Sequence, residues 1–255
     1  MLKKICDITK EAGSMILHSP LVSVKQKTNF ADFVTDRDVA VQRFLNEKCK
    51  ELLPSAGFYG EEDEARTAEC EYVFVIDPID GTANFVNGLD ASAVSVALLR
   101  NGQAEYGVVF NPYKNELFSA MRGGGAYLNG VPIHVTQKPL ISSLADVGTS
   151  PYTRDLAKKT LRVMDGLLDI CGDTRRCGSA AIAGCNVAAG RCALMFELRL
   201  CAWDFAAARL IVEEAGGVFA YLDGCEHPLA DTPPIAMGTH EAMEKFLSLY
   251  KAYKD

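Results

Sequence analysis

The feature that most constrains the fold is an apolar run that ends in two acids. The run Tyr72-Val73-Phe74-Val75 leads without a break into Ile76-Asp77-Pro78-Ile79-Asp80-Gly81-Thr82. A β-branched and aromatic segment that stops at Asp-Pro predicts a buried strand with two carboxylates at its C-terminal end. Sites in α/β proteins are built at that edge of the sheet. We therefore expect both aspartates to belong to one site.

Two carboxylates three residues apart predict a site for a hard divalent cation. Pro78 stiffens the link between Asp77 and Asp80, and Gly81 frees the backbone after it. The two negative charges would repel each other, and Mg²⁺, which prefers octahedral oxygen ligands, removes that conflict. The Thr82 hydroxyl would then lie beside the cation. Taken alone, this stretch is equally well explained as an Asp-Pro turn with a local side-chain cap.

The composition is that of a globular enzyme with a sizeable core. The chain has 255 residues, of which 49% are hydrophobic and 23% charged. A formal net charge of −7 and scattered basic residues argue against nucleic-acid binding. The composition therefore favours a small-molecule substrate over a polyanionic partner.

Cysteine usage and hydropathy indicate the compartment. The nine cysteines include no Cys-x-x-Cys pair, so neither a disulfide framework nor a zinc site is suggested. Reduced thiols are typical of a cytoplasmic protein. No run of about 18 apolar residues predicts a membrane span, and charges interleaved through Met1 to Pro20 argue against a signal peptide.

The spacing of apolar residues predicts two halves. In the first half, amphipathic helices from Leu2 to about His18 and from Thr35 to about Leu53 precede several strands joined by tight turns. After about residue 137, strands alternate with helices. We therefore expect an α+β half over residues 1–137, carrying most metal ligands, and an α/β half over residues 138–255.

Four further stretches carry residues of the same chemical kind. They are Asp32-Phe33-Val34-Thr35-Asp36-Arg37-Asp38, Gly60-Glu61-Glu62, Gly178-Ser179-Ala180-Ala181 and Trp203-Asp204. Each alone has a local explanation, such as a capping box at Thr35 and Asp38 or an acid favoured at a helix N-terminus. Together with the central stretch they resemble the inositol monophosphatase family of Mg²⁺-dependent, lithium-sensitive phosphatases. Its signature is D-x-V-T-x-x-D, G-E-E, D-P-[IL]-D-G-T and W-D, and the resemblance covers almost the whole chain.

The resemblance implies a fold and an activity. The fold would be a layered αβαβα sandwich of the inositol monophosphatase and fructose-1,6-bisphosphatase type, with homodimers usual among relatives. The activity would be hydrolysis of myo-inositol 1-phosphate or a similar polyol phosphate. Relatives also act on fructose 1,6-bisphosphate, 3′-phosphoadenosine 5′-phosphate, histidinol phosphate or phosphoinositide-type lipids. A regulatory role is the alternative from another class, since some bacterial relatives bind the transcription apparatus.

The resemblance also implies the metal ligands. Glu61, Asp77 and the Ile79 carbonyl would hold one Mg²⁺, and Asp77, Asp80 and Asp204 would hold a second. A third, looser ion would lie near Glu61. These cations would clamp the phosphate oxygens, stabilise the leaving alkoxide and activate the attacking water.

The catalytic residues implied by the resemblance surround that water. Glu61 and Thr82 would orient and deprotonate it, with Asp38 bonded to the Thr82 hydroxyl. The backbone N–H groups of Gly81 and Thr82 would complete the phosphate cradle.

Substrate choice is expected to depend on other residues. Glu197 stands seven residues before Asp204, where the family has a Glu that bonds ring hydroxyls, although a surface acid at a strand end is the alternative. Arg199 departs from the small residue common in relatives and places a cation near the mouth, which favours a second phosphate. The full set of expected substrate contacts is Asp80, Gly81, Thr82, Thr149, Ala180, Glu197 and Asp204.

Overall fold

Two β-sheets alternate with three pairs of helices in the computed structural model, which describes residues 1–17, 23–26, 33–63, 67 and 69–253. The helices are α1 (Leu2–Leu17), α2 (Asp36–Leu52), α3 (Thr82–Val86), α4 (Arg154–Leu168), α5 (Ala180–Ala188), α6 (Ala202–Glu214) and α7 (His240–Ala252). The strands are β1 (Val24–Gln26), β2 (Phe33–Thr35), β3 (Gly57–Gly60), β4 (Tyr72–Asp80), β5 (Ala93–Arg100), β6 (Gln103–Asn111), β7 (Glu116–Met121), β8 (Ala126–Leu128), β9 (Val131–Pro132), β10 (Leu144–Val147), β11 (Asp173–Arg175), β12 (Leu194–Glu197), β13 (Val218–Tyr221) and β14 (Ile235–Gly238).

The larger sheet has seven strands in the order β3-β4-β5-β6-β7-β8-β9. Strand β3 runs parallel to β4, and the other neighbours are antiparallel. Asn101 and Gly102 join β5 to β6 with φ angles of 49° and 80°, the left-handed values that a tight hairpin turn requires. The strands joined by tight turns that the sequence predicts are confirmed, and they form an antiparallel meander.

Strand β4 carries alternating side chains into two different cores. Phe74 and Ile76 pack on the side of α1 and α2, whereas Val73 and Val75 pack on the side of α5 and α6. A two-residue period explains why a continuous apolar run is needed here, because both faces of the sheet are covered. The same alternation carries Asp77 to the face that α6 covers.

The smaller sheet has the order β11-β10-β12-β14-β13. One face packs on α4 and α7, where Val163, Leu167 and Phe246 are buried, and Met195 and Met237 belong to the core around α5 and α6. The layers therefore run α1/α2, large sheet, α5/α6, small sheet, α4/α7, which confirms the expected αβαβα fold. The division after residue 137 stays a prediction.

The local structure differs from expectation at several points. Strand β4 does not end at Asp-Pro: it continues to Asp80, with a shift of register between Asp77 and Asp80 that accommodates the missing N–H of Pro78. The five-residue helix α3 and the three-residue strand β11 were not predicted. Asp32 and the expected helix end at His18 lie outside the described residues.

The expected capping box at the start of α2 is confirmed. Thr35 N donates to Asp38 Oδ2 at 2.8 Å, and Asp38 N donates to Thr35 Oγ1 at 3.3 Å. Within the described residues, no helix combines the length and apolar character needed to cross a membrane.

Candidate active site

Three carboxylates from distant parts of the chain meet at one point. Oxygen atoms of Asp77, Asp80 and Asp204 lie within 4.8 Å of one another. Asp77 and Asp80 come from the end of β4, and Asp204 lies in the first turn of α6, where its Oδ2 accepts from Cys201 N at 2.7 Å. Among the described residues, Asp77 Oδ2 and Asp204 Oδ1 accept no hydrogen bond. Two acidic oxygens are therefore available for a cation.

Asp80 is held by the N-terminus of α5. Its carboxylate accepts from Ala181 N at 2.7 Å, from Ala180 N at 3.3 Å and from the Ser179 hydroxyl. The unpaired N–H groups of a helix N-terminus favour an anion, so α5 fixes this carboxylate in its charged form. Ala180, which was expected to line the substrate, thus also binds Asp80 through its backbone N–H.

A chain of hydrogen bonds runs from Thr82 to the start of α2. The Thr82 hydroxyl lies 3.1 Å from Asp38 Oδ1 and 3.0 Å from the Ile79 carbonyl, and both are acceptors. Asp38 Oδ2 accepts from both the amide and the hydroxyl of Thr35. Asp38 is fully buried, and burial raises its pKa. The expected contact between Asp38 and Thr82 is present.

These groups border a cleft of about 400 Å³. Most of the expected site residues line it: Glu61, Asp77, Ile79, Asp80, Gly81, Thr82, Ala180, Glu197 and Asp204. Glu61 lies in the cleft but outside the three-carboxylate group. Asp38 and Thr149 stand behind the lining, where they contact Thr82 and Arg176 respectively. Another cavity, of about 480 Å³, lies between α6 and the β13–β14 connection and contains none of the three carboxylates.

Glu197 faces the cleft from the end of β12. Its Oε1 accepts from Ser150 N at 2.8 Å, and the Ser150 hydroxyl lies 3.4 Å away. A Cβ on Gly148 would stand 2.1 Å from Oε2, so only glycine leaves room for this carboxylate. Among the described residues Oε2 has no hydrogen-bond donor, which leaves it free to bind a ligand. Glu197 is therefore a cleft residue rather than a surface acid.

The carboxylates that line the cleft outnumber its positively charged side chains. Burial is the main cause that raises the pKa of Asp77 and Asp204 well above the usual range. The next cause is the negative charge of Glu61 for Asp77 and that of Asp80 for Asp204. Burial also raises the pKa of Asp80 to about 6, although its bonds to α5 oppose the shift. Clustered, desolvated carboxylates with free oxygens are the donor set that Mg²⁺ prefers. The residues present thus fit a magnesium site.

Three polar residues of this region were not assigned a role from the sequence, namely Ser150, Arg176 and Asp146, and the contact of Ser179 with Asp80 was not predicted. Ser179 has a recognisable signal, because a serine before a helix of small residues is a typical N-cap. Ser150 is fully buried with a φ of 43°, a conformation that sequence does not reveal. Arg176, directly after β11, and Asp146, on the neighbouring strand β10, line the cleft and carry no local pattern.

The comparisons with known proteins cover the whole chain. The model of the inositol monophosphatase family matches residues 2–254. The Nus factor SuhB of Xylella fastidiosa is 37% identical over 227 residues, which are 87% of this chain and 82% of that protein. The inositol-1-monophosphatase of Rhizobium meliloti is 38% identical over 201 residues, which are 78% of this chain and 76% of that protein.

A solved structure extends the likeness to three dimensions. The extragenic suppressor protein suhB of Bartonella henselae has a TM-score of 0.90 and 29% identity, and the match covers 98% of this chain and 97% of that one. With the family model matching nearly every residue, the chain belongs to the inositol monophosphatase family.

Proposed function

We propose that this protein is a Mg²⁺-dependent phosphomonoesterase that hydrolyses myo-inositol 1-phosphate or a similar polyol phosphate. The observation that carries this proposal is the convergence of Asp77, Asp80 and Asp204 in one cleft with Glu197. The carboxylates supply a cation site, and Glu197 supplies a free acceptor for hydroxyl groups. Membership of the family and the likeness to an inositol-1-monophosphatase support the same activity.

The proposed metal ligands are those that the family resemblance implies, and they line the cleft. Glu61, Asp77 and the Ile79 carbonyl would hold one Mg²⁺, while Asp77, Asp80 and Asp204 would hold a second. A third, looser ion would lie near Glu61. When bound, the cations would neutralise charge on the phosphate and activate a water for attack.

The chain's own groups would orient the reacting atoms. Because Asp38 accepts the Thr82 proton, the Thr82 oxygen keeps its lone pairs for the attacking water. Glu61, at the cleft wall, would take the one proton that this water loses on attack, while the other stays on the oxygen that is transferred to the phosphate. Gly81 adopts a φ of 87°, and this turn would aim its N–H and that of Thr82 at the phosphate.

The alcohol part of the substrate would lie against β10 and β12. Glu197 Oε2 would accept hydrogen bonds from vicinal hydroxyls, while Ser150 holds Oε1 in place. Ala180 and the loop containing Thr149 would shape the remaining wall. A buried carboxylate at this point favours polyols over apolar alcohols, because an unpaired carboxylate is strongly disfavoured.

A phosphate-release screen tests the proposal. The panel contains myo-inositol 1-phosphate, fructose 1,6-bisphosphate, 3′-phosphoadenosine 5′-phosphate, histidinol phosphate and a water-soluble phosphoinositide, each with Mg²⁺ and with a chelator. We expect turnover that requires Mg²⁺ and is greatest for a polyol phosphate. Asp77→Asn should remove it, whereas Asp165→Asn, an exposed change of the same kind on α4, should not. Absence of turnover across the panel would refute the proposal.

A second candidate function is suggested by the likeness to Nus factors. Relatives 36–37% identical to this chain carry that name, so a regulatory role in transcription is a proposal from another class. Binding to purified transcription complexes would be measured for the wild type and for Asp77→Asn. Binding by both proteins would establish a role independent of catalysis, and binding by neither would exclude it.

Three further properties stay predictions, two from the family resemblance and the location from the cysteine usage. They are a homodimeric assembly, a cytoplasmic location and inhibition by lithium. Light scattering and a lithium titration of phosphate release test the first and the third.

A further inference from the structure

Two arginines stand at the mouth of the cleft and make no salt bridge within the described residues. Arg176 and Arg199 both line it, and both side chains are exposed. Their hydrogen bonds go instead to the hydroxyls of Thr149, Thr153 and Thr232. An arginine that serves only as a surface charge has no need of such support.

Arg199 is held in a fixed orientation. Its Nε donates to Thr232 Oγ1 at 3.3 Å, and an Nη donates to Thr153 Oγ1 at 3.0 Å. Thr153 is the N-cap residue of α4, yet its side chain makes no capping hydrogen bond. The hydroxyl that would ordinarily cap the helix is thus used to position the guanidinium. Three of the five N–H groups of Arg199 have no acceptor among the described residues.

Arg176 is placed above the floor of the cleft. One Nη donates to Thr149 Oγ1 at 3.4 Å, and another atom of the group lies so close to Gly178 that a Cβ there would stand 2.4 Å from it. It lines the cleft together with Asp80 and Glu197, and its charge partly offsets the rise in pKa that burial causes at both carboxyls. Four of its N–H groups are not engaged by described residues.

Both guanidinium groups rest on one short loop. Thr149 and Thr153 are the ends of a five-residue segment between β10 and α4, and Pro151 and Tyr152 of the same segment also line the cleft. Two fixed guanidinium groups with free N–H donors match the oxygens of a phosphate, which accepts such bonds in pairs. The loop therefore sets both cations over the end of the cleft that the substrate's alcohol part would occupy.

We propose that Arg176 and Arg199 form a second anion site, which selects polyol phosphates that carry a second phosphate group. The proposal rests on the proposed phosphatase function, because the first phosphate is assigned to the carboxylate cluster. The second phosphate is bound and not hydrolysed while it occupies the arginine pair. Bisphosphates are thereby preferred over monophosphates of the same polyol.

The test compares two substrates that differ only in the second phosphate. These are fructose 1,6-bisphosphate and fructose 1-phosphate, and the measured quantity is the ratio of their kcat/KM values. We expect the wild type to favour the bisphosphate, Arg199→Gln to lower the ratio roughly tenfold, and the double variant with Arg176→Gln to lower it further. Arg199→Lys should retain part of the preference, since it keeps the charge and loses the planar fork.

Matched controls separate the site from general electrostatics. Arg162→Gln removes an exposed charge on α4, outside the cleft, and should leave the ratio unchanged. Thr153→Val should lower the ratio partly, because the Arg199 side chain loses one of its two anchors. An equal ratio in the wild type and Arg199→Gln overturns the proposal, as does a wild type without preference.

A binding measurement distinguishes failure of this proposal from failure of the phosphatase function. Thermal shifts with each fructose phosphate are measured with Ca²⁺ in place of Mg²⁺, after absence of turnover has been confirmed. A larger shift with the bisphosphate that is lost in Arg199→Gln supports the anion site even if no ester is hydrolysed. Equal shifts in both proteins overturn the anion site even if phosphatase activity is found.

Discussion

The Ser179 hydroxyl donates a hydrogen bond to Asp80, although 99 positions separate the two residues. The same hydroxyl oxygen accepts from Ile182 N at 3.2 Å and so caps α5. A hydroxyl has one donor and two acceptor positions, so both bonds can exist together. One small side chain therefore links the stability of a helix to the position of a proposed metal ligand.

This double role predicts that loss of the Ser179 hydroxyl lowers both stability and activity, whereas loss of an ordinary helix cap lowers stability alone. Ser179→Ala should destabilise the protein by about 1 kcal/mol through loss of the cap, and should also lower kcat/KM roughly tenfold. Thr239→Ala is the matched control, because Thr239 caps α7 through Ala242 N at 3.1 Å and has no contact with the cleft. Urea unfolding and phosphate release check both effects. Equal activities of the two variants would contradict the role of Ser179.

Asp77→Asn tests the central ligand. We expect phosphate release to fall by roughly a hundredfold or more, because Asp77 is proposed to bridge two cations. The metal-free variant should melt at a higher temperature than the metal-free wild type, since one charge is removed from a repelling cluster. Thermal unfolding in a chelator measures this. A lower melting temperature would indicate that the cluster does not repel.

Glu197→Ala tests whether Glu197 binds the hydroxyl groups of the substrate. The loss in kcat/KM for myo-inositol 1-phosphate should be about 1–3 kcal/mol, the scale of a hydrogen bond to a charged group. A small aryl phosphate lacks such hydroxyls and should be affected much less. Steady-state kinetics on both substrates decide the matter. Equal losses would show that Glu197 acts on the phosphate or on the fold.

Glu197 also predicts a pH dependence of stability. Burial is the main cause that raises its pKa to about 7 from an ordinary value near 4.5. Between these values the folded state holds the proton more tightly than the unfolded state, so stability falls as pH rises through the window. Relative to Glu197→Gln, the wild type should lose about 3 kcal/mol between pH 4.5 and pH 8. Urea unfolding across this range should show a steeper slope in the wild type than in Glu197→Gln, which keeps the other buried carboxylates.

Trp203 is expected to report cation binding. It precedes Asp204, is 8% exposed, and its ring lies 5.5 Å from that of Tyr59 on β3, the strand that leads to Glu61. We expect Mg²⁺ to shift the emission of the metal-free protein, and Asp204→Asn to remove the weaker phase of that response. Fluorescence titration with parallel calorimetry checks this. Two ions bound without an emission change would exclude the reporter.

The sequence predicted those parts of the site that depend on local pattern. The run before Asp77 predicted a buried strand, and the Thr35 and Asp38 pair predicted a capping box, because periodicity and capping act within a few residues. The place where Asp204 meets Asp77 was implied only by family resemblance. The spacing of residues along the sequence does not determine that α6 covers this face of β4.

The unpredicted parts depend on contacts between distant segments. The bond from Ser179 to Asp80 and the bond from Ser150 to Glu197 each join residues on different elements. The left-handed backbone of Ser150 has no sequence signal, because it is imposed by its surroundings and not by its side chain. Strand pairing extended β4 past Pro78, against the local preference of Asp-Pro.

The carboxylate cluster has a consequence for how the chain folds. It joins Asp77 on the large sheet to Asp204 at the start of the helix that separates the two sheets. A cation held there would act as a reversible cross-link between segments far apart in sequence, closing a long loop in the folded state only. Mg²⁺ would then bind the native state and not the unfolded chain. Raising its concentration would therefore raise the midpoint temperature of unfolding. In this way the ion would contribute to the stability of the fold as well as to the chemistry.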